Sequence, residues 1–365
     1  MQEFNKYKFL FGAGGTGGHL FPALAVAEKI KELKPQAEIL FLGNKNKIEG
    51  KTIPKYGFQF KHINVEGFHR GEITRNLLFP FKLLGSVVKS VLISMKFKPR
   101  VAVGSGAYVS GPVLWAADFM GAKLILMEQN SYPGITNRLL DRKATVIFTA
   151  FEESKKYFRI EEKVEVVGNP VRPSFKAIEK EEAKAKLGIP REKKTLLVLG
   201  GSLGAKSINE AIKNNIQKFV ENEIYLLWQT GKRYYDEYEN YNSENVKVFD
   251  FIDDMGLLYS AADLVIARAG ATTIAEVAFL GKATIFVPSP NVAENHQYKN
   301  AEELVKNNAA ELIKDDRINE EIFDKVISLL ENRERIEILE NNIKQFSNPD
   351  ATEIIAKRAI KLAES

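Results

Sequence analysis

Apolar runs of three or four residues recur along the chain, each followed by a polar or glycine-rich break and then by a stretch of helical periodicity. In the first half they are Phe9 to Phe11, Ile39 to Leu42, Val101 to Val103, Leu124 to Met127 and Val146 to Phe148. In the second half they are Leu196 to Leu199, Tyr225 to Trp228, Lys247 to Phe249, Leu264 to Ala267 and Thr284 to Val287. Short apolar strands alternating with amphipathic helices predict parallel sheets covered on both faces. The expectation is an α/β protein of two Rossmann-like domains in tandem. A length of 365 residues, beyond the size at which one core usually stops growing, agrees with two. The segment Gly168-Asn169-Pro170-Val171-Arg172-Pro173 separates them, since its two prolines continue neither a helix nor a central strand. The domains are then 1–169 and 170–349, with the C-terminal helix 350–365 a candidate to pack back on the first.

Three of the breaks are glycine clusters lying between a strand and a helix start: Gly12 to His19, Gly200 to Gly204, and Gly270 to Thr273. Backbone N–H groups at a helix N-terminus bind anions, phosphate above all. In open parallel sheets ligands sit beyond the carboxyl ends of the strands, so facing domains would share one cleft. Gly12-x-Gly14-x-x-Gly17 formally matches the dinucleotide fingerprint, but the second strand ends Leu42-Gly43-Asn44-Lys45, without the acid that would hold a ribose. Dinucleotide binding is disfavoured. The turn instead ends in His19, at the start of a helix expected from about Pro22 to Leu33. The positive helix end favours a neutral, proton-accepting imidazole. A histidine that merely caps backbone groups is the plainer alternative; its place beside a glycine turn favours catalysis.

Other strand ends carry polar groups. Gly104 to Pro112 includes Tyr108 and two serines, suited to a polar acceptor, although an ordinary strand-to-helix turn reads the same way. Met127-Glu128-Gln129-Asn130 puts three polar groups after an apolar run, and Glu128 is a second, weaker candidate base. In Arg268-Ala269-Gly270-Ala271-Thr272-Thr273-Ile274-Ala275-Glu276 small residues let a diphosphate approach a helix N-terminus, and Glu276 can grip a ribose diol. Alone, Glu276 would read as a solvated helix acid. Asp253-Asp254 reads as a helix start. Four scattered histidines, no cysteine and no Asp-x-Asp pair leave metal chemistry little support, so neither a metal nor a cofactor is expected. Hydrolase and kinase motifs are absent too.

Charge divides the chain. Residues 1–169 carry a net charge of +10 and the remainder −5, giving +5 in all. Between Arg70 and Arg100 seven basic residues accompany one acid, Glu72. An anionic partner for the N-terminal half follows. Leu84, Val87, Val88, Val91 and Met95 have helical spacing, read most simply as a face buried on the sheet, whereas Leu77 to Phe81 mixes bulky apolar groups with the basic cluster and suits an anionic membrane surface. No nucleic-acid motif accompanies the cluster, so nucleic acid is not expected. The absence of cysteine fits a reducing compartment, and the N-terminus starts neither a signal peptide nor a membrane span; a soluble or peripheral protein is expected.

As a set, Gly14-Gly15-Thr16-Gly17-Gly18-His19, Tyr108 to Pro112, Glu128-Gln129-Asn130, Gly168 to Arg172, Gly200-Gly201-Ser202, Phe251 to Met255 and His296-Gln297 resemble the MurG family of bacterial N-acetylglucosaminyltransferases. The matches run in order from residue 12 to about residue 300. The resemblance implies a GT-B architecture and inverting transfer of N-acetylglucosamine from UDP-N-acetylglucosamine to the C4 hydroxyl of the muramyl sugar of lipid I, giving lipid II. That would happen at the cytoplasmic side of the cell membrane, with the enzyme peripherally attached. It also implies donor contacts at Thr16, Gly17, Gly18, Asn130, Arg172, Ser202, Ile252, Ala271, Thr272, Thr273, Ile274, Ala275, Glu276 and Gln297; Tyr108, Arg268 and His296 are further substrate-binding candidates. Three positions depart from the family pattern: Met127 replaces a usual histidine, Ala107 a glycine and Leu203 a glutamine. A UDP-N-acetylglucosamine 2-epimerase, another glycolipid transferase and a non-catalytic UDP-sugar-binding protein are the rival readings.

Overall fold

The computed structural model describes residues 6–67, 78–171, 175, 177–201, 204–252, 254–292 and 295–365. It divides into two compact units, Met1–Arg172 with Asn348–Ser365, and Pro173–Ser347.

In the first unit, β1 (Lys8–Gly12), β2 (Glu38–Gly43), β3 (Gln59–His62), β4 (Val101–Gly104), β5 (Lys123–Glu128), β6 (Val146–Thr149) and β7 (Val164–Val166) form one sheet. The order is β3-β2-β1-β4-β5-β6-β7, parallel throughout. The helices that matter here are α1 (Gly17–Leu33), α2 (Ile48–Thr52), α3 (Phe79–Phe97), α4 (Ser110–Phe119) and α5 (Ile135–Leu140). Because successive strand side chains point to opposite faces, each all-apolar run feeds two cores. Phe9, Phe11 and Phe41 meet Leu20 and Leu24 of α1 on one face, while Leu10, Leu40 and Ala102 meet Val113 and Leu114 of α4 on the other. The C-terminal helix, Ala351–Glu364, lies on the α1 side, where Ile355, Ala356 and Ala359 join the same core.

Helix α3 corrects a sequence expectation. Its buried residues are Ser86, Ser90 and Ser94, whereas Leu84 is 62% and Leu92 61% exposed, with Val88 and Met95 also outward. The serine stripe faces α4, against which α3 packs. Small side chains permit that approach; of the apolar stripe expected to lie on the sheet, Leu84, Val88 and Met95 are left to solvent while Val87 and Val91 are half-buried.

In the second unit β8 (Lys194–Leu199), β9 (Ile224–Gln229), β10 (Val246–Phe249), β11 (Leu264–Ala267), β12 (Thr284–Phe286) and β13 (Glu311–Leu312) repeat the pattern in the order β10-β9-β8-β11-β12-β13, again parallel. Leu196, Val198, Leu226 and Trp228 pack with Ile208, Ile212 and Phe219 of α6 (Lys206–Glu221). Trp228 Nε1 donates to Asn209 Oδ1 at 3.1 Å, so the buried indole N–H is satisfied. The helices α7 (Met255–Ala261), α8 (Ala271–Leu280) and α9 (His296–Lys306) complete the part that concerns function. Asp254 caps α7, its carboxylate accepting from Leu257 N–H at 3.0 Å.

The strand order reverses between β1 and β4 in one sheet and between β8 and β11 in the other. The glycine-rich turns after these four strands therefore sit at the switch points, where open α/β sheets bind ligands.

Candidate functional site

In the first unit one imidazole ties three turns together. His19 lies in the first turn of α1, and its Nδ1 is 2.6 Å from the carbonyl oxygen of Ser105 and 3.1 Å from Oε1 of Gln129. Both neighbours are acceptors, so Nδ1 carries the hydrogen and Nε2 is the ring nitrogen left to take a proton. The turns after β1, β4 and β5 thus converge on one imidazole, with the contacts of the latter two both made to Nδ1. His19 is partly exposed and Thr16, the residue before α1, is exposed, with Gly17 and Gly18 partly so.

Glu128 is differently placed. It is 3% exposed and accepts from Asn130 N–H (3.0 Å), Asn130 Nδ2 (3.2 Å), Gly134 N–H (3.0 Å) and Asn137 Nδ2 (2.8 Å). A carboxylate holding four donors organises the β5–α5 turn, and Asn130 is held by it; this geometry suits a scaffold rather than a base. Met127 is buried in the apolar core, with its carbonyl oxygen accepting from Asn137 Nδ2 at 3.0 Å, so the departure from histidine there is absorbed by packing.

Tyr108 lies across the first glycine turn: a Cβ at Gly15 would come within 3.2 Å of its ring. Burial, then the nearby charges of Glu49 and Glu66, raise its phenol pKa, while a hydrogen bond with Asn44 opposes the rise. The phenol stays protonated and able to donate. Glu49, which the sequence reading passed over, has its carboxylate beneath that turn.

In the second unit, α8 begins after Gly270 in extended conformation, and the Oγ1 of Thr272 is buried with no hydrogen-bond partner among the described residues. Glu276 accepts from Tyr259 Oη at 3.2 Å. Tyr259, on α7, is fully buried; burial first, then Glu276, pushes its pKa well up, so it remains the donor in that bond. Ala271, Ile274, Ala275 and Ile252 are buried, which leaves backbone groups as their means of contact. Gln297 Oε1 accepts from Ser289 N–H at 2.8 Å, and His296 opens α9. Arg268 donates to Val287 O at 3.0 Å and to Ser207 Oγ at 2.8 Å and forms an ion pair with Asp315. It braces the β11 turn from behind, with its guanidinium bound inside its own unit. Arg172, Ser202, Leu203 and Asp253 lie outside the described residues, as does Leu77.

An exposed apolar surface runs along α3 and α4. Phe81 is 73% and Phe119 68% exposed, Trp115 stacks on Phe119 with centroids 5.8 Å apart, and Ile135 and Leu139 of α5 are exposed as well. Lys82 pairs with Glu66 at 2.8 Å, and Lys89 Nζ stands 3.1 Å from His62 Nε2. No helix among the described residues is long and apolar enough to cross a membrane.

Tyr259, Glu49 and Asn137 are the contributors that sequence reasoning missed. Tyr259 sits in an apolar helical stretch that reads as core, and Glu49 in a short polar segment that reads as surface.

The chain matches the glycosyltransferase family 28 N-terminal domain over residues 9–149 and the glycosyltransferase family 28 C-terminal domain over residues 195–357. It is 43% identical over 363 residues to the UDP-N-acetylglucosamine--N-acetylmuramyl-(pentapeptide) pyrophosphoryl-undecaprenol N-acetylglucosamine transferase of Flavobacterium psychrophilum, covering 99% of each chain. The transferase of the same name from Christiangramia forsetii is 42% identical over 357 residues, covering 97% of each. A solved structure of MurG from Acinetobacter baumannii aligns with a TM-score of 0.77 at 28% identity, covering 97% of this chain and 99% of that one.

Proposed function

The chain belongs to glycosyltransferase family 28 and to the MurG enzymes within it, and from that premise we propose how its residues divide one reaction. It is a hexosyltransferase that moves N-acetylglucosamine from UDP-N-acetylglucosamine to the C4 hydroxyl of the muramyl sugar of lipid I, giving lipid II. The acceptor belongs to the first unit and the UDP-sugar chiefly to the second.

The observation that carries the catalytic part is the contact of His19 Nδ1 with two acceptor oxygens. With Nδ1–H donated to Ser105 and Gln129, Nε2 takes the proton from the acceptor hydroxyl as its oxygen attacks the anomeric carbon. The bond to UDP breaks on the opposite face, and the configuration inverts. Charge then develops on the diphosphate. The N-terminus of α8 meets that charge, while Glu276, steadied by Tyr259, holds the ribose. Ser202, Arg172 and the contacts at Thr16, Gly17, Gly18, Asn130, Ile252 and Gln297 enter on sequence alone. Glu128 keeps its turn in shape.

The exposed stripe of α3 with Trp115 and Phe119 of α4 supports attachment to an anionic membrane, where a polyisoprenoid acceptor resides. The enzyme then works from the cytoplasmic side as a peripheral protein.

Transfer of labelled N-acetylglucosamine to a lipid I analogue, with the product's anomeric configuration determined, tests the whole reading. A β-linked disaccharide formed only when acceptor is present is expected. Retained configuration would remove direct displacement, and conversion of UDP-N-acetylglucosamine without acceptor would indicate an epimerase.

A further inference from the structure

Beneath the first glycine turn lies a carboxylate that nothing in the proposed chemistry uses. Glu49 is 0% exposed, although it belongs to α2, a helix of only five residues. Its two oxygens accept from two different turns: Oε2 from Gly15 N–H at 3.0 Å, after β1, and Oε1 from Asn44 N–H at 2.9 Å, after β2. The space it fills exists because two residues lack side chains. A Cβ at Gly14 would lie 2.4 Å from Glu49 Cδ, and one at Gly43 would lie 2.6 Å from Cγ. Gly14 at φ 157° and Gly15 at φ 81° give the turn the path that aims its amide inward. Asn44 is fixed in turn, its side chain exchanging two hydrogen bonds with the backbone of Val65 at 2.7 and 3.2 Å.

We propose that Glu49 is a positioning residue for the transfer: its buried carboxylate clamps the first glycine turn to the β2–α2 turn and so fixes where α1 begins and where His19 stands. The amide of Gly15 is therefore taken by an internal anion. This turn acts as a clamp under the base, whereas the sequence pattern alone suggested a phosphate cradle. A misplacement of about 1 Å at a reacting group costs on the order of 10²-fold in rate, so loosening the turn is felt at the chemical step. The inference rests on the reading of His19 as the base.

The test compares Glu49→Gln, Glu49→Ala and Gly43→Ala in the full chain, at a temperature where melting curves show each variant folded. Transfer to a short-chain lipid I analogue is measured beside UDP affinity. Glu49→Gln keeps the volume and one acceptor oxygen but turns an NH2 toward an amide. Its kcat is expected to fall on the order of tenfold, and that of Glu49→Ala on the order of 10²-fold, with the UDP Kd unchanged within about twofold. Gly43→Ala, whose methyl meets Glu49, is expected to lower kcat in the wild type and to add nothing in Glu49→Ala. A kcat within about twofold of wild type in folded Glu49→Ala overturns the proposal. So does a lower acceptor KM, which would mark the Glu49 seat as an anion site, or a Gln variant that cannot be kept folded, which would mark a purely structural role. His19→Ala, assayed alongside, separates the two claims: full turnover there refutes the base, while a slow His19→Ala beside a fast Glu49→Ala refutes only the clamp.

Discussion

The turn after β1 closes over a carboxylate, with two glycines making room for Glu49 and a tyrosine ring lying across the outside. The turn after β11 opens differently: Gly270 starts α8, the Thr272 hydroxyl has no partner among the described residues, and the acid of that helix, Glu276, is held from the neighbouring α7 by Tyr259. Both turns stand at a strand-order reversal, and both are clusters of small residues. One is fixed from within and places an imidazole; the other starts a helix whose N-terminus is proposed to meet the donor's diphosphate. Glycine at a switch point therefore marks a place where backbone must come close to something, and the neighbouring side chains decide whether that something is part of the protein.

The difference can be broken from either side. The largest effect is expected for His19→Ala, which removes the proposed base and should slow turnover by roughly 10²- to 10⁴-fold, read in steady-state transfer to a soluble acceptor. Next comes Glu276→Ala: loss of charge-assisted hydrogen bonds costs on the order of 1.5–3 kcal/mol, so UDP should bind about ten- to a hundredfold more weakly by calorimetry. Unchanged affinity would take Glu276 out of the donor site. Tyr259→Phe should reproduce a smaller share of that loss.

On the acceptor side, Phe81→Ser with Lys89→Glu should weaken partitioning to anionic vesicles, by about 1 kcal/mol for each basic charge lost near the surface and more for the exposed ring. Transfer to vesicle-borne acceptor should slow while transfer to a short-chain analogue survives; equal loss on both would point to a damaged fold.

The last effect, on stability rather than on activity, concerns Lys282 of the second unit. Its Nζ donates to Ser260 O at 3.2 Å and Ala262 O at 3.0 Å at the end of α7, and burial above all, then Lys180, brings its pKa down from 10.5 to about 8. Between those values the folded protein binds fewer protons than the unfolded chain, so stability attributable to this group rises as pH increases from about 8 toward 10.5. Melting curves of wild type against Lys282→Met across that range should diverge in favour of wild type as pH rises, by at most about 1.4 kcal/mol per pH unit. Parallel curves would contradict the assignment.

Central strands were readable because Leu196 to Leu199 or Phe9 to Phe11 are apolar on both faces. The edges were not. Gln59-Phe60-Lys61-His62 and Glu311-Leu312 form β3 and β13 while half-facing solvent, so no apolar run announces them. Periodicity also misled at α3: spacing identifies a stripe but not which side of the helix meets the protein, and three serines took the inner side. At the candidate site, His19 was legible as a polar residue closing a glycine turn and Glu276 as an acid within two turns of a helix start. Their supports, Glu49 and Tyr259, come from elements distant in sequence, and no local pattern records the pairing. Arg268 shows the converse, since a cation beside a predicted phosphate turn is bound to Asp315 behind it.

The claim that the two turns do separate work is tested most directly by titrating UDP into His19→Ala and comparing its Kd with that of wild type. A base that acts only on the acceptor's proton contributes nothing to UDP binding, so the two values should agree within about twofold even as turnover collapses. A Kd weakened in proportion to the loss of turnover would place His19 on the donor side and contradict the division.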